Sequence, residues 1–281
     1  MARLLEQLEK NTQLDKVIYK HDLMQEEELT AKQVWEYSDK LAFYLNETYK
    51  EDKSPIVVYG HKHPFMLVYF LACVKSGRAF CPVDVNTPID RVRDIVATVK
   101  SPIVLVSEAI ELDTPIMTVD EAKKIITQTK ERVSKEHYVK DEDIFYIIFT
   151  SGSTGKPKGV MLSHDNIISD IKNCDSRVPV KAGDICLSFL PVCHIFERML
   201  TYLYQYNGIR LYFAESFEKI AVNISEVKPR LITVVPRVVE KVYDSIYNKG
   251  IALSGIARNL FFWALKLGYR YEPYGKNSWW Y

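Results

Sequence analysis

Several things are scarce in this 281-residue chain, and each scarcity removes a class of explanation. Formal charge is almost balanced at +1, so no broad basic field points to a nucleic-acid partner. The five cysteines (Cys73, Cys81, Cys174, Cys186 and Cys193) contain no Cys-x-x-Cys pair. That argues against a zinc or dithiol site and for reduced, mostly buried thiols. Residues Met1 to Lys10 carry charges where a signal peptide needs an apolar core. The longest apolar run, Phe65 to Val74, falls far short of the ~20 residues that span a bilayer. A cytoplasmic protein without a transmembrane segment is therefore expected. Internal repeats and low-complexity tracts are missing as well. So are two familiar phosphate signatures: Gly-x4-Gly-Lys-Ser/Thr fails because Pro157 follows Lys156, and Gly-x-Gly-x-x-Gly does not occur.

What the chain does have is the makeup of a globular α/β protein, with 47% hydrophobic and 26% charged residues. Leu4, Leu5 and Leu8 suit a short amphipathic helix, and Lys16 to Lys20 a first strand. Thr30 can cap a helix that places Val34, Tyr37, Leu41 and Leu45 on one face. Strands are expected at 56–60, 79–84 and 103–106, with helices starting at Pro64 and after Thr87-Pro88. Strands apolar on both faces and separated by helices imply parallel pairing with helices on each side. The highly charged segment 127–143 reads as a solvated connection. Later strands are expected at 184–191, 209–213 and 231–235. A helix from Pro236 should turn Val238, Val242, Tyr243 and Ile246 inward. His61 and His63 have a spacing that metals use, but no ligand cluster lies near them, and loop positions after a strand are the better reading.

The informative stretch begins at Ile144. Six apolar residues, Ile144 to Phe149, run into Thr150-Ser151-Gly152-Ser153-Thr154-Gly155-Lys156-Pro157-Lys158-Gly159. A buried strand thus feeds a loop holding four hydroxyls, three glycines and two lysines. Glycines let backbone N–H groups approach an anion, hydroxyls add donors, and a lysine adds a mobile charge. A surface turn is the bland alternative, but a turn has no reason to gather so many anion donors. His194, taken alone, reads as a packed histidine at a strand-to-helix turn.

Thr150 to Gly155, followed by Lys156-Pro157-Lys158-Gly159-Val160, resembles the phosphate loop of the adenylate-forming (AMP-dependent) synthetase and ligase superfamily. The resemblance has two flavours. Glu51 to Asp84, with Tyr59-Gly60-His61 and Gly77 to Asp84, is similar to D-alanine–carrier-protein ligases and the related peptide-synthetase adenylation domains. Leu190-Pro191-x-x-His194-Ile195-Phe196-Glu197-Arg198 and Val235 to Tyr243 are similar to long-chain fatty acid–CoA ligases. The resemblance implies an α/β fold: a large N-terminal domain over 1–281, incomplete, with mostly parallel sheets flanked by helices. Its first subdomain would end near 160 with the phosphate loop, and its second would cover about 161–281.

It also implies ATP and Mg²⁺ as cofactors, a carboxylic acid substrate, and coenzyme A or a phosphopantetheine carrier as thiol acceptor. Thr150, Ser151, Gly152, Ser153, Thr154, Gly155 and Lys158 would hold phosphate, with Lys158 neutralising charge and Thr154 meeting Mg²⁺. His194 would line the carboxylate pocket, and a long-chain fatty acid is the expected acid. The family's later Tyr-Gly-x-Thr-Glu segment, its ribose aspartate and its C-terminal lid domain are not found. Tyr274-Gly275-Lys276-Asn277-Ser278 echoes the first only superficially, and Asp184 lies too early to be the second. Phosphate contacts with little turnover by this chain alone are therefore expected.

Overall fold

The computed structural model describes residues 3–13, 18–20, 28–151, 157–191, 193–214, 216, 218–272 and 275. They divide into two compact units, 1–232 and 233–281. The first unit opens with α1 (Arg3–Asn11), β1 (Ile18–Lys20), β2 (Glu28–Thr30) and α2 (Ala31–Tyr49). Then come β3 (Ile56–Tyr59), α3 (Pro64–Lys75), β4 (Phe80–Val83), α4 (Ile89–Val99), β5 (Val104–Val106), β6 (Ile116–Thr118) and α5 (Val119–Gln128). A hairpin of β7 (Ile144–Ser151) and β8 (Pro157–Ser163) leads to α6 (His164–Asp175), β9 (Ile185–Ser188), α7 (Ile195–Tyr206), β10 (Arg210–Phe213), α8 (Ile220–Val227) and β11 (Leu231–Ile232). The second unit consists of α9 (Pro236–Ala252) and α10 (Gly255–Gly268).

Two mainly parallel sheets result. One has the order β6-β5-β3-β4-β7-β8, the other β11-β9-β10-β1-β2. Only β8 and β2 run antiparallel to their neighbours. The chain moves from β3 to β4 on one side and then back past β3 to β5. Right-handed crossovers therefore place α3 and α4 on opposite faces of the sheet. The burial pattern agrees. Ile56, Val58, Phe80 and Leu105 pack in one cluster with α3, while Val57, Tyr59, Cys81, Val83, Val104 and Val106 pack in another with Val92, Ile95 and Val96 of α4. Alternation of side chains along each strand makes this division possible. All twelve residues of α3 are buried, as a helix apolar on every side requires.

Local signals set the helix ends. Thr30 accepts from the Gln33 amide, and Gln33 Oε1 accepts in return from Thr30 N, closing a capping box. Thr118 with Glu121 and Ser163 with Asn166 repeat the device at α5 and α6. Beyond α3, Gly77 adopts φ +75°, and a Cβ there would come within 2.9 Å of the His137 carbonyl. Gly77→Ala should therefore cost about 1–3 kcal/mol of stability, read from its urea-unfolding midpoint.

Three expectations need correction. Segment 127–143 is not simply solvated, because Val133, Tyr138 and Val139 are buried and anchor it to the core. Strand β6 and helix α5, just ahead of it, were not foreseen. On α9 only Val238 is buried among the four residues expected inward; Val242, Tyr243 and Ile246 are 51%, 39% and 52% exposed. A unit of two helices has too few neighbours to enclose such a face. Among the described residues, no helix is long and apolar enough to cross a membrane.

Candidate functional site

Ligands in open α/β sheets bind beyond the carboxyl ends of the strands, where departing loops leave a crevice. A cleft of 590 Å³ lies there in the first unit. Pro82 to Asp84 contribute from the end of β4, Ile148 to Thr150 from the end of β7, and Arg91 from the first turn of α4. Pro191, Cys193 and His194 enter from the loop after β9, so strands of both sheets lead into one cleft. Thr150 and His194, far apart in sequence, meet in it.

Phosphate-loop residues Gly152, Ser153, Thr154 and Gly155 fall outside the described residues. The stem of the loop is described. Thr150 pairs with Lys158, and Ser151 with Pro157, across the antiparallel β7–β8 ladder. Residues directly opposite in such a ladder project from the same face, so the exposed Lys158 shares its face with Thr150. His194 is the N-cap residue of α7 and makes no side-chain cap bond. Its imidazole is exposed at the cleft.

Two cleft residues were not singled out from the sequence. Asp84 Oδ1 accepts from the Asn86 amide at 3.0 Å and from Asn86 Nδ2 at 2.8 Å, which fixes the turn between β4 and α4. Arg91 is half-buried, with no ion-pair partner among the described residues, and gives the cleft a cation. The available signal was Asp84 at a strand end followed by Thr87-Pro88 and then Arg91. Beside them, burial pushes the Cys193 thiol up, with Asp84 adding to the shift and Arg91 opposing it.

His61 and His63 lie apart from this cleft. His63 caps α3, its Nδ1 accepting from the Phe65 amide at 3.1 Å, while His61 Nε2 sits 3.6 Å from Glu108 Oε1. Among the described residues no group of three His, Cys, Asp or Glu side chains is placed to hold a metal ion. Of the charged side chains that line the cleft, Arg91 suits an anion, and Asp84 alone does not make a Mg²⁺ site.

Comparison with known proteins gives this arrangement a context. The model of the AMP-binding enzyme family matches residues 5–268. D-alanine–D-alanyl carrier protein ligase of Bacillus cytotoxicus is 38% identical over 195 residues, covering 67% of this chain and 38% of that protein. The ligase of the same name from Bacillus licheniformis is 37% identical over 193 residues, again 67% of this chain and 38% of its own length. The chain thus spans well under half of the curated relatives that it matches. Among solved structures, VinN in complex with L-aspartate superposes with a TM-score of 0.76 at 17% identity, over 88% of this chain and 65% of that one. The N-terminal subdomain of Klebsiella oxytoca NpsA gives 0.69 at 19%, over 83% and 59%. At such identities the two structures speak to the fold alone.

Proposed function

Because this chain belongs to the AMP-binding enzyme family, we propose that it carries the phosphate-binding and acid-binding part of an acid–thiol ligase. The observation that supports this reading most directly is the shared cleft, where Thr150 at the mouth of the phosphate loop faces the same space as His194. In the first step a substrate carboxylate oxygen attacks the α-phosphorus of ATP, and the bond to the β-phosphate bridging oxygen breaks. Acyl-adenylate and pyrophosphate are the products. In the second, a thiol adds to the acyl carbon, AMP leaves with the bonding electron pair, and the thiol proton passes to solvent.

The attacking carboxylate is already ionised, so the first step needs positioning and charge stabilisation more than a base. Thr150 and the Ser151 backbone would hold the polyphosphate, together with Gly152, Ser153, Thr154 and Gly155. Lys158 would offset its charge, and Arg91 offers a second cation. His194 would bound the pocket of the acid. Mg²⁺, when bound to the phosphates, would neutralise further charge.

For the acid, the names of the relatives favour D-alanine and a carrier-protein thiol. A long-chain fatty acid with coenzyme A, the first expectation from the sequence, becomes the second reading. It rests on the segment from Leu190 to Arg198, which resembles the fatty acid–CoA branch and sets Pro191, Cys193 and His194 in the lining of the cleft. ATP–pyrophosphate exchange with D-alanine and with fatty acids of increasing length separates the two. Exchange with neither acid, in this chain or with the remaining portion of a relative supplied, would overturn both. Binding has its own test: Lys158→Ala should weaken ATP binding about tenfold in calorimetry, as loss of a charge-assisted contact does. Unchanged affinity would sink the loop assignment.

A further inference from the structure

Lys62 follows β3 at the carboxyl edge of the first sheet, and its side chain is 12% exposed. An ammonium group has three protons to donate, and here three acceptors surround it. Ser188 Oγ lies 2.5 Å from Nζ and the Leu190 carbonyl 2.7 Å away, while the Glu197 carboxylate completes the set. Ser188 also donates to Glu197 Oε1 at 2.5 Å, tying the end of β9 to the first turn of α7. Burial draws Lys62 down to about 8 and Glu197 opposes the shift, so the amine is still charged at pH 7.

The acceptors come from three points along one stretch, residues 188, 190 and 197. Between the last two lie Pro191, Cys193 and His194, which form one wall of the cleft. Opposite them stand residues of β4 and β7, the strands that continue the sheet of β3. A single cation of the first sheet therefore holds the second sheet's contribution to the cleft at both ends. We propose that Lys62 is a positioning residue. Its ammonium fastens the segment Ser188–Glu197 to the first sheet, and so sets where Cys193 and His194 stand in the cleft. Whichever acid or thiol the protein uses, this role is the same.

Cys193 reports on the segment directly, and the other thiols serve as internal references. Cys174 is exposed on α6, while Cys73, Cys81 and Cys186 are buried. Alkylation of the whole chain by iodoacetamide, followed by peptide mass spectrometry, gives each rate separately. In Lys62→Met, Cys193 should react roughly tenfold faster, the size expected when charge-assisted hydrogen bonds holding a segment are lost. Cys174 should keep its rate, and the three buried thiols their protection. Ser188→Ala should move Cys193 the same way by less, and Lys62→Arg should restore part of the protection.

An unchanged Cys193 rate in a folded Lys62→Met chain would overturn the proposal. Should that variant expose Cys73 and Cys186 by unfolding, Ser188→Ala decides: faster Cys193 alone supports the clamp, and an unaltered rate refutes it. Neither nucleotide nor acid enters this experiment, so its failure and the failure of the ligase reading are separate results.

Discussion

Asp39→Ala is expected to lower the unfolding free energy by about 3–5 kcal/mol, the range for breaking a buried ion pair from one side. Lys75 on α3 is wholly buried, and its Nζ lies 2.8 Å from Asp39 Oδ1. Trp35 O and Ser38 Oγ accept from it at 2.9 Å each, and the Trp35 ring centroid is 3.3 Å away. Tyr138 O–H donates to the same Asp39 oxygen at 2.7 Å. Truncating Asp39 leaves the ammonium with neutral acceptors and a ring, and strands the phenol of Tyr138 as well. Urea unfolding of Asp39→Ala beside wild type at about pH 6, where Lys75 holds its proton, measures the cost. A loss under about 1 kcal/mol, the scale of an exposed pair, would refute it.

The same lysine gives stability a pH dependence. Burial draws Lys75 from 10.5 down to about 7, with Asp39 opposing. Between those two values the unfolded chain holds a proton that the folded chain has released, so stability rises with pH across that window. The measurement is best made from about pH 7 to 8, where most unfolded thiols still hold their protons. Wild type should gain stability relative to Lys75→Met over that range, and parallel curves would show that Lys75 keeps its proton.

Arg198→Ala should cost about 3–5 kcal/mol, as emptying a large core site does. The guanidinium is buried among rings, with centroids at 4.5 Å for Tyr202, 5.0 Å for Phe80, 5.1 Å for Phe70 and 5.9 Å for Tyr146. Nη2 donates to the Tyr202 hydroxyl at 2.7 Å, but Nε has no hydrogen-bond partner among the described residues. Among the described residues no carboxylate pairs with it. Arg198→Met keeps much of the volume and removes a buried charge, so it should stay within about 1 kcal/mol of wild type or exceed it. If methionine proves as damaging as alanine, attraction between cation and rings carries the site instead of packing.

The parts of this fold that showed in the sequence are those where one local signal decides. Pro64 opened α3, Thr30 capped α2, and uninterrupted apolar runs marked β3, β5 and β7 as strands with two covered faces. Strand β6 escaped because three residues, Ile116 to Thr118, are too few to show a period. Helix α9 looked core-facing because periodicity reveals which side of a helix is apolar, not whether anything covers it. The phosphate-loop stem was legible for a similar reason, its donors being contiguous along the chain. By contrast, the cleft draws on the ends of β4, β7 and β9 and the start of α4, which only tertiary packing assembles. Arg91 and Lys62 carry no mark in their neighbourhoods that separates them from ordinary surface cations.

The seam between β1 and β10 has a consequence during synthesis. Tyr19 is matched with Leu211, and Lys20 with Tyr212. At ordinary translation speeds roughly 10–40 s separate the appearance of these two partners from the ribosome. Every strand of the sheet from β3 to β8 is made within that interval. The nascent protein thus has its first half free to close early, while its leading strands wait for a late partner and stay open to capture by a chaperone.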